Sequence, residues 1–165
     1  MSVTDSHASF SVRPGAELDL PALRDLIVEL AVYEKEPNEV TLTLDQLRED
    51  FAAGCFQVTV AEEGSGRIVG MALHHARYST WKGKTWYLED LVVTSTWRGR
   101  GVGKALFSAV ASAACAHDAQ RLEWQVLDWN EPALGFYRAL NASLDGSWLN
   151  GRWTRNQLES WCSTL

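Results

Sequence analysis

Residues 87 to 107 constrain this chain more than any other stretch. They run Tyr87, Leu88, Glu89, Asp90, Leu91, Val92 and Val93, then four linking residues, then Arg98, Gly99, Arg100, Gly101, Val102, Gly103, Lys104, Ala105, Leu106 and Phe107. The pattern predicts a buried strand, a glycine-rich turn and the opening of a helix. Three glycines at alternate positions leave the backbone bare where the helix starts. Unpaired N–H groups there, with the positive end of the helix dipole, suit an anion, phosphate above all. Arg98, Arg100 and Lys104 add fixed positive charge.

Two nucleotide motifs fail here on spacing. A P-loop needs G-x-x-x-x-G-K-[ST], but Arg98 stands five residues before Gly103 and Ala105 follows Lys104, so no hydroxyl is offered to magnesium. The dinucleotide fingerprint needs G-x-G-x-x-G, and Lys104 stands where the last glycine belongs.

Composition sets the outer limits. A chain of 165 residues, 46% apolar and 22% charged, is long enough for one domain with a sizeable core. The formal net charge of -6 argues against a nucleic-acid partner and is compatible with a cationic small substrate. No apolar run approaches the ~18 residues of a membrane helix, and residues 1 to 11 lack the apolar stretch of a signal peptide. Cys55, Cys115 and Cys162 are far apart and odd in number, so neither a disulfide framework nor a zinc site is expected. The setting they fit is reducing, the cytoplasm. His74 and His75 are neighbours in a strand and face opposite ways, so no metal site is expected of them.

Residues 1 to 9 read as a flexible leader. Phe10 and Val12 mark a first strand, and Asp19 is expected to cap a helix that carries Leu23, Leu26, Ile27 and Leu30 to about Tyr33. Thr43 and Gln46 form a capping box for a short helix that Gly54 ends. Strands follow at 56 to 60, 68 to 76 and 85 to 93. The helix after the glycines presents Val102, Leu106, Val110 and Ala113 to the core and runs to about His117. A strand is expected over 122 to 127, then a helix with Asn130 as cap and Pro132 in its first turn. In the tail, Asn150 and Gly151 allow a hairpin. The favoured reading is a strand over 148 to 153 and a last helix capped by Thr154 with Gln157. Strands and helices in this order describe one mixed α/β domain over residues 10 to 165.

Arg98, Gly101 and Gly103, directly after a strand, satisfy [RQ]-x-x-G-x-[GA]. That run resembles the acetyl-CoA loop of the GNAT acetyltransferases. The likeness extends to Tyr33 and Glu34 at the end of the first helix, to the Tyr87, Leu88, Glu89, Asp90 run, and to Trp129, Asn130, Glu131, Pro132 and Ala133 followed by Phe136 and Tyr137. Together these are similar to the diamine branch, the spermidine/spermine and thialysine acetyltransferases. The resemblance covers roughly residues 10 to 160. It implies a single-domain GNAT-like fold, with a mixed, mostly antiparallel central sheet flanked by helices. It implies acetyl-CoA as cofactor, a primary amine of a small cationic metabolite as acceptor, direct transfer in a ternary complex, and a homodimer. It also implies that Arg98, Gly99, Arg100, Gly101, Val102, Gly103 and Lys104 hold the pyrophosphate. The pantetheine arm would pair along Leu91, Val92 and Val93, and Asn130, Ala133 and Tyr137 would contact the same cofactor.

The chemistry of such a transfer has three needs. An alkylammonium, with a pKa of ~10.4, must lose a proton. Charge developing on the carbonyl oxygen must be stabilised. The departing thiolate, from a thiol of pKa ~8.5, benefits from a proton. Glu89, a carboxylate in an apolar strand, is the candidate for the first task. Backbone N–H groups at 91 to 93 are candidates for the second, and Tyr137 for the third by the family likeness. On a regular strand Asp90 would face the opposite side from Glu89 and be structural. Tyr33, Glu34, Glu123, Trp124 and Gln125, with Glu89, are the expected substrate mouth. Two other functions use the same loop: acetylation of a protein lysine or N-terminus, and acyl-CoA sensing without catalysis.

Overall fold

The computed structural model describes residues 9–164, so the leader expected at 1 to 9 lies almost wholly outside the described residues. The chain divides into two compact units, residues 1–125 and 126–165.

The first unit is built on a five-stranded sheet in the order β1-β2-β3-β4-β5. The strands are β1 (Phe10–Pro14), β2 (Gln57–Glu63), β3 (Ile68–Ser79), β4 (Gly83–Val93) and β5 (Leu122–Glu123). Neighbours pair antiparallel except β4 and β5, which are parallel. Helices α1 (Leu20–Tyr33) and α2 (Leu44–Ala52) supply Leu20, Leu23, Leu26 and Leu47 to a core with Val58, Val60, Met71 and Val92. Helix α3 (Val102–Ala116) supplies Val102, Leu106, Val110 and Ala114 to a second core with Ala61, Val69, Ala72, Trp86 and Leu88. The two cores cover opposite faces, which is why β2 reads as nearly continuously buried rather than alternating. The innermost residue at the end of α3 is Ala114 rather than the expected Ala113, one step along the helix.

Helix ends follow their sequence signals with one exception. Thr43 and Gln46 form the capping box of α2, and Gly54 beyond it has φ 73°. Asp19 does not cap α1 with its side chain. Its carboxylate takes the Ala16 N–H at 2.8 Å and the two Nη groups of Arg13 at 2.7 and 2.9 Å, while Arg13 Nε donates to Glu62 at 2.8 Å. A two-pronged, charge-assisted contact outweighs a cap worth about 1 kcal/mol. The Arg13 guanidinium accordingly holds the Asp19 carboxyl below its usual range.

Two irregularities shape β3 and β4. The β3–β4 register passes from Leu73↔Asp90 to His74↔Leu88, so Glu89 is the extra residue of a bulge. Before it, Trp86 and Leu88 point into the α3 core. After it, Val92 points to the α1–α2 core, while Leu91 and Val93 pack toward α3. The strand expected over 122 to 127 is also shorter. Only Leu122 and Glu123 pair, with Trp86 and Tyr87. The bulge bends and twists β4 just beyond those partners, and no alternation in the 124 to 127 segment can restore the lost ladder.

The second unit contains α4 (Glu131–Ala139) and α5 (Arg155–Cys162). Asn130 caps α4 through its side chain, which accepts the Ala133 N–H at 3.3 Å, and Asn141 ends the segment at φ 57°. Thr154 and Gln157 form the expected capping box of α5. The strand expected over 148 to 153 is absent. Residues 142 to 154 carry no regular structure, and Asp145 binds the Ser147 N–H at 2.8 Å, a local bend that competes with a ladder. None of the helices described is long and apolar enough to cross a membrane. Cys55, Cys115 and Cys162 are exposed and form no disulfide.

Candidate active site

The glycine loop takes the form its sequence demands. Gly99 and Gly101 have φ 74° and 83°, the left-handed region in which a side chain is strained. A Cβ on either would meet nothing within 4 Å, so backbone conformation rather than crowding requires glycine. Gly101 is the N-cap of α3 and offers no side chain to it. The Val102, Gly103 and Lys104 amides find no acceptor among the described residues. Such a row of outward N–H groups fits a pyrophosphate. Lys104 is exposed, and the Arg100 guanidinium lies over the Trp97 ring at 5.1 Å. Arg98 is exposed but tethered: its Nε donates to the Val93 carbonyl at 2.8 Å and its guanidinium stacks on Tyr33 at 5.2 Å.

Beside the loop, β4 has an open edge. Pairing with β5 stops at Tyr87, and residues 88 to 93 have no strand partner on that side among the described residues. The Thr94 N–H goes to the Val69 carbonyl on the β3 side. Alternation therefore turns the N–H groups of Val93 and Leu91 toward the open edge, while Val92 pairs with Met71. The backbone at Leu91 to Val93, along which the family likeness would pair the pantetheine arm, thus lies at an open edge.

The bulge overturns the expected separation of Glu89 and Asp90. Glu89 is exposed, with Oε2 3.6 Å from His75 Nε2. Asp90 is half-buried on the face of α1, and its carboxyl is pushed up to about 6 by burial, then by Glu89 and by Glu34. Burial also raises Glu34. Tyr87 is raised by burial and then by Glu89, with Glu123 contributing. Glu123 itself contacts Arg121 at 3.1 Å. Glu89 thus acts on both Tyr87 and Asp90, Glu123 on Tyr87, and Glu34 on Asp90.

The remaining expected residues are distributed differently. Trp124 packs edge-on against Phe107 on the α3 side, with ring centroids 5.4 Å apart. Gln125 is exposed. Tyr33 lies against Arg98. His74 is structural, as expected: its Nδ1 accepts the Trp86 indole N–H at 3.0 Å, and its Nε2 bonds Thr59 at 3.1 Å. In the second unit, Asn130 and Tyr137 are buried, Ala133 is half-buried, and Tyr137 stands edge-on to Phe136 at 5.1 Å. Asp90 is the residue that sequence reasoning set aside. Its signal was a second carboxylate beside Glu89 in an apolar strand.

Asp90→Asn tests this electrostatic picture. The folded carboxyl titrates near 6, above its unfolded value of about 3.9, so the folded state binds the proton more tightly. That favourable term is complete below the unfolded value and disappears as pH rises through 6. At pH 7 the ionised group costs stability, and the amide is expected to raise it by about 2 kcal/mol. Urea unfolding at pH 7 and pH 4 checks this: the gain should be confined to neutral pH.

An opened sheet edge beside an uncapped, glycine-built helix start defines a class, the transferases that lay a phosphate-bearing acyl donor along a strand. The acetyltransferase (GNAT) family pattern matches residues 20–142. Thialysine N-epsilon-acetyltransferase of Bos taurus is 39% identical over 140 residues, 79% of this chain and 82% of that protein. Spermidine/spermine N(1)-acetyltransferase-like protein 1 of Homo sapiens is 31% identical over 160 residues, 90% of this chain and 23% of that much longer protein. Among solved structures, an aminoglycoside acetyltransferase from an uncultured soil metagenomic sample superposes with a TM-score of 0.74 at 23% identity, over 88% of this chain and 95% of that one, a likeness of fold. The chain belongs to the GNAT family of acetyltransferases, on its thialysine and spermidine/spermine side. It is an enzyme, and acetyl-CoA is its cofactor.

Proposed function

We propose that residues 10 to 165 form one acetyltransferase domain that acetylates a primary amine of a small cationic metabolite: a diamine, a polyamine, thialysine or a lysine-like amino acid. The observation that carries this reading is the acidic face of Glu34, Glu89 and Asp90, whose mutual repulsion a bound ammonium would relieve. The names of the relatives point to the same substrate class.

Acetyl-CoA supplies the acetyl group as an activated thioester. The amides of residues 99 to 104 hold its pyrophosphate, with Arg100 and Lys104 adding charge. The open-edge N–H groups of Leu91 and Val93 orient the donor and stabilise charge on the carbonyl oxygen. Glu34 and Glu123 attract the cation. The ammonium proton passes to Glu89 and Asp90, directly or through water. The raised Asp90 value lets that carboxyl hold a proton near neutral pH. Tyr137 gives its hydroxyl proton to the departing sulfur and is reprotonated, directly or through water, by the second proton that the nitrogen loses as the amide forms. No covalent acetyl-enzyme is called for, and transfer is direct. Exposed Trp148, Leu149, Trp153, Leu158 and Trp161 suit a homodimer interface, to be checked by light scattering. Three exposed thiols suit the reducing cytoplasm.

The test is thiol release from acetyl-CoA against spermidine, spermine, putrescine, thialysine, lysine and a lysine-containing peptide. The expected result is turnover on a small amine at least tenfold above the peptide. Turnover on the peptide only would move the enzyme to the protein acetyltransferases. Binding of acetyl-CoA without turnover on any amine would favour an acyl-CoA sensor.

A further inference from the structure

One residue of the glycine loop is tied to the far end of α1. Arg98 sits between two groups one helical turn apart: Glu29, with Oε1 3.7 Å from Arg98 Nη2, and Tyr33, whose ring lies under the guanidinium at 5.2 Å. The same Glu29 oxygen accepts the Ser95 N–H at 3.2 Å, and Arg98 Nε holds the Val93 carbonyl at 2.8 Å. A carboxylate on α1 therefore grips the loop at both Ser95 and Arg98. The last turn of α1 also leads straight into Glu34, whose charge acts on Asp90. Glu29 thus partly offsets the charge that Arg98 presents at the loop.

We propose that Glu29 is a positioning residue which, through Arg98 and Tyr33, couples acetyl-CoA binding at the glycine loop to ordering of the amine-binding end of α1. The inference rests on the cofactor and substrate sites proposed above. Ordering the loop fixes Arg98. Fixing Arg98 holds Glu29 and Tyr33, and through them the turn that carries Glu34. By linkage the effect is reciprocal, so a bound amine tightens acetyl-CoA by the same factor.

Hydrogen exchange with and without CoA tests the coupling independently of turnover. In the wild type, CoA is expected to slow exchange at residues 98 to 104 and also at 30 to 36. In Glu29→Ala, protection at 98 to 104 should persist and protection at 30 to 36 should vanish. Glu29→Gln keeps an acceptor for Ser95 and gives up the charge on Arg98, so it should fall between them; being nearly isosteric, it carries the test should the alanine variant not fold. Kinetically, Glu29→Ala should raise the amine KM about tenfold at saturating acetyl-CoA, a typical coupling, with kcat within about twofold. Equal CoA-induced protection of 30 to 36 in wild type and variant would overturn the proposal. So would faster exchange there by the same ratio with and without CoA, the mark of a merely structural residue. Failure of the wild type to bind CoA would overturn the proposed cofactor site and the coupling with it. Absence of amine turnover alone would remove only the substrate class.

Discussion

Tyr137→Phe is expected to lower kcat about 100-fold while changing acetyl-CoA affinity less than about threefold. The substitution removes one hydroxyl and keeps the ring, which is buried and stands edge-on to Phe136. Packing of the ring therefore survives, and on the proposed role the loss falls on proton delivery. A thiolate from a thiol of pKa ~8.5 leaves without help more easily than an alkoxide, so the lower end of the usual range for general acid catalysis is expected. Calorimetry with CoA and single-turnover acetyl transfer measure the two quantities separately. An unchanged single-turnover rate would remove Tyr137 from the chemistry. A matching loss of CoA affinity would make it a binding residue.

The second large effect concerns stability. An indole N–H only donates, so Trp86 fixes His74 Nδ1 as an acceptor, and Nε2 carries the proton toward Thr59. Protonating Nδ1 would set two N–H groups against each other in a buried site. Burial, and then His75, hold the His74 pKa down at about 4. The unfolded value is about 6.5, so the unfolded chain binds the proton first. Stability is therefore full above 6.5 and lost as pH falls through 4, by about 3 kcal/mol. Asp90 works in the opposite sense over nearly the same interval. The two nearly cancel in the wild type, whose stability should be almost level from pH 6.5 to 4. His74→Leu leaves Trp86 and Thr59 without that partner and is expected to cost about 3 kcal/mol at pH 7. Its stability should then rise on acidification to pH 4, because Asp90 now acts without its counterweight. Urea unfolding across that interval decides it: a loss of stability on acidification in the variant would refute the assignment to His74.

Much of this site was legible before any coordinates. Gly99 and Gly101 specify a left-handed, uncapped helix start because few other residues tolerate those backbone angles. The capping boxes at Thr43 and Thr154 specify helix starts by local hydrogen bonding. The apolar period of α3 specifies the face it buries, to within one residue. Each of these signals lies within a few positions along the chain. Where the reading failed, a competing hydrogen bond or an irregular neighbouring strand intervened. Asp19 was drawn from its cap to Arg13 and Ala16 by stronger bonds. Residues 124 to 127 form no strand: β5 pairs with β4 only at Leu122 and Glu123, just before the bulge at Glu89. Residues 148 to 153 formed none, since Asp145 turns the chain locally.

What the sequence by itself determined was the loop, the helices and the chemical inventory: glycines, arginines, paired carboxylates and a tyrosine. Only the tertiary structure decided how the carboxylates face. In a regular strand Glu89 and Asp90 would diverge. One extra residue against β3 reverses the alternation and brings both to the side of Glu34. A bulge is set by how two strands settle against their cores, with Leu88 held by one and Val92 by the other. That balance of packing belongs to the whole sheet, and no local run of residues encodes it.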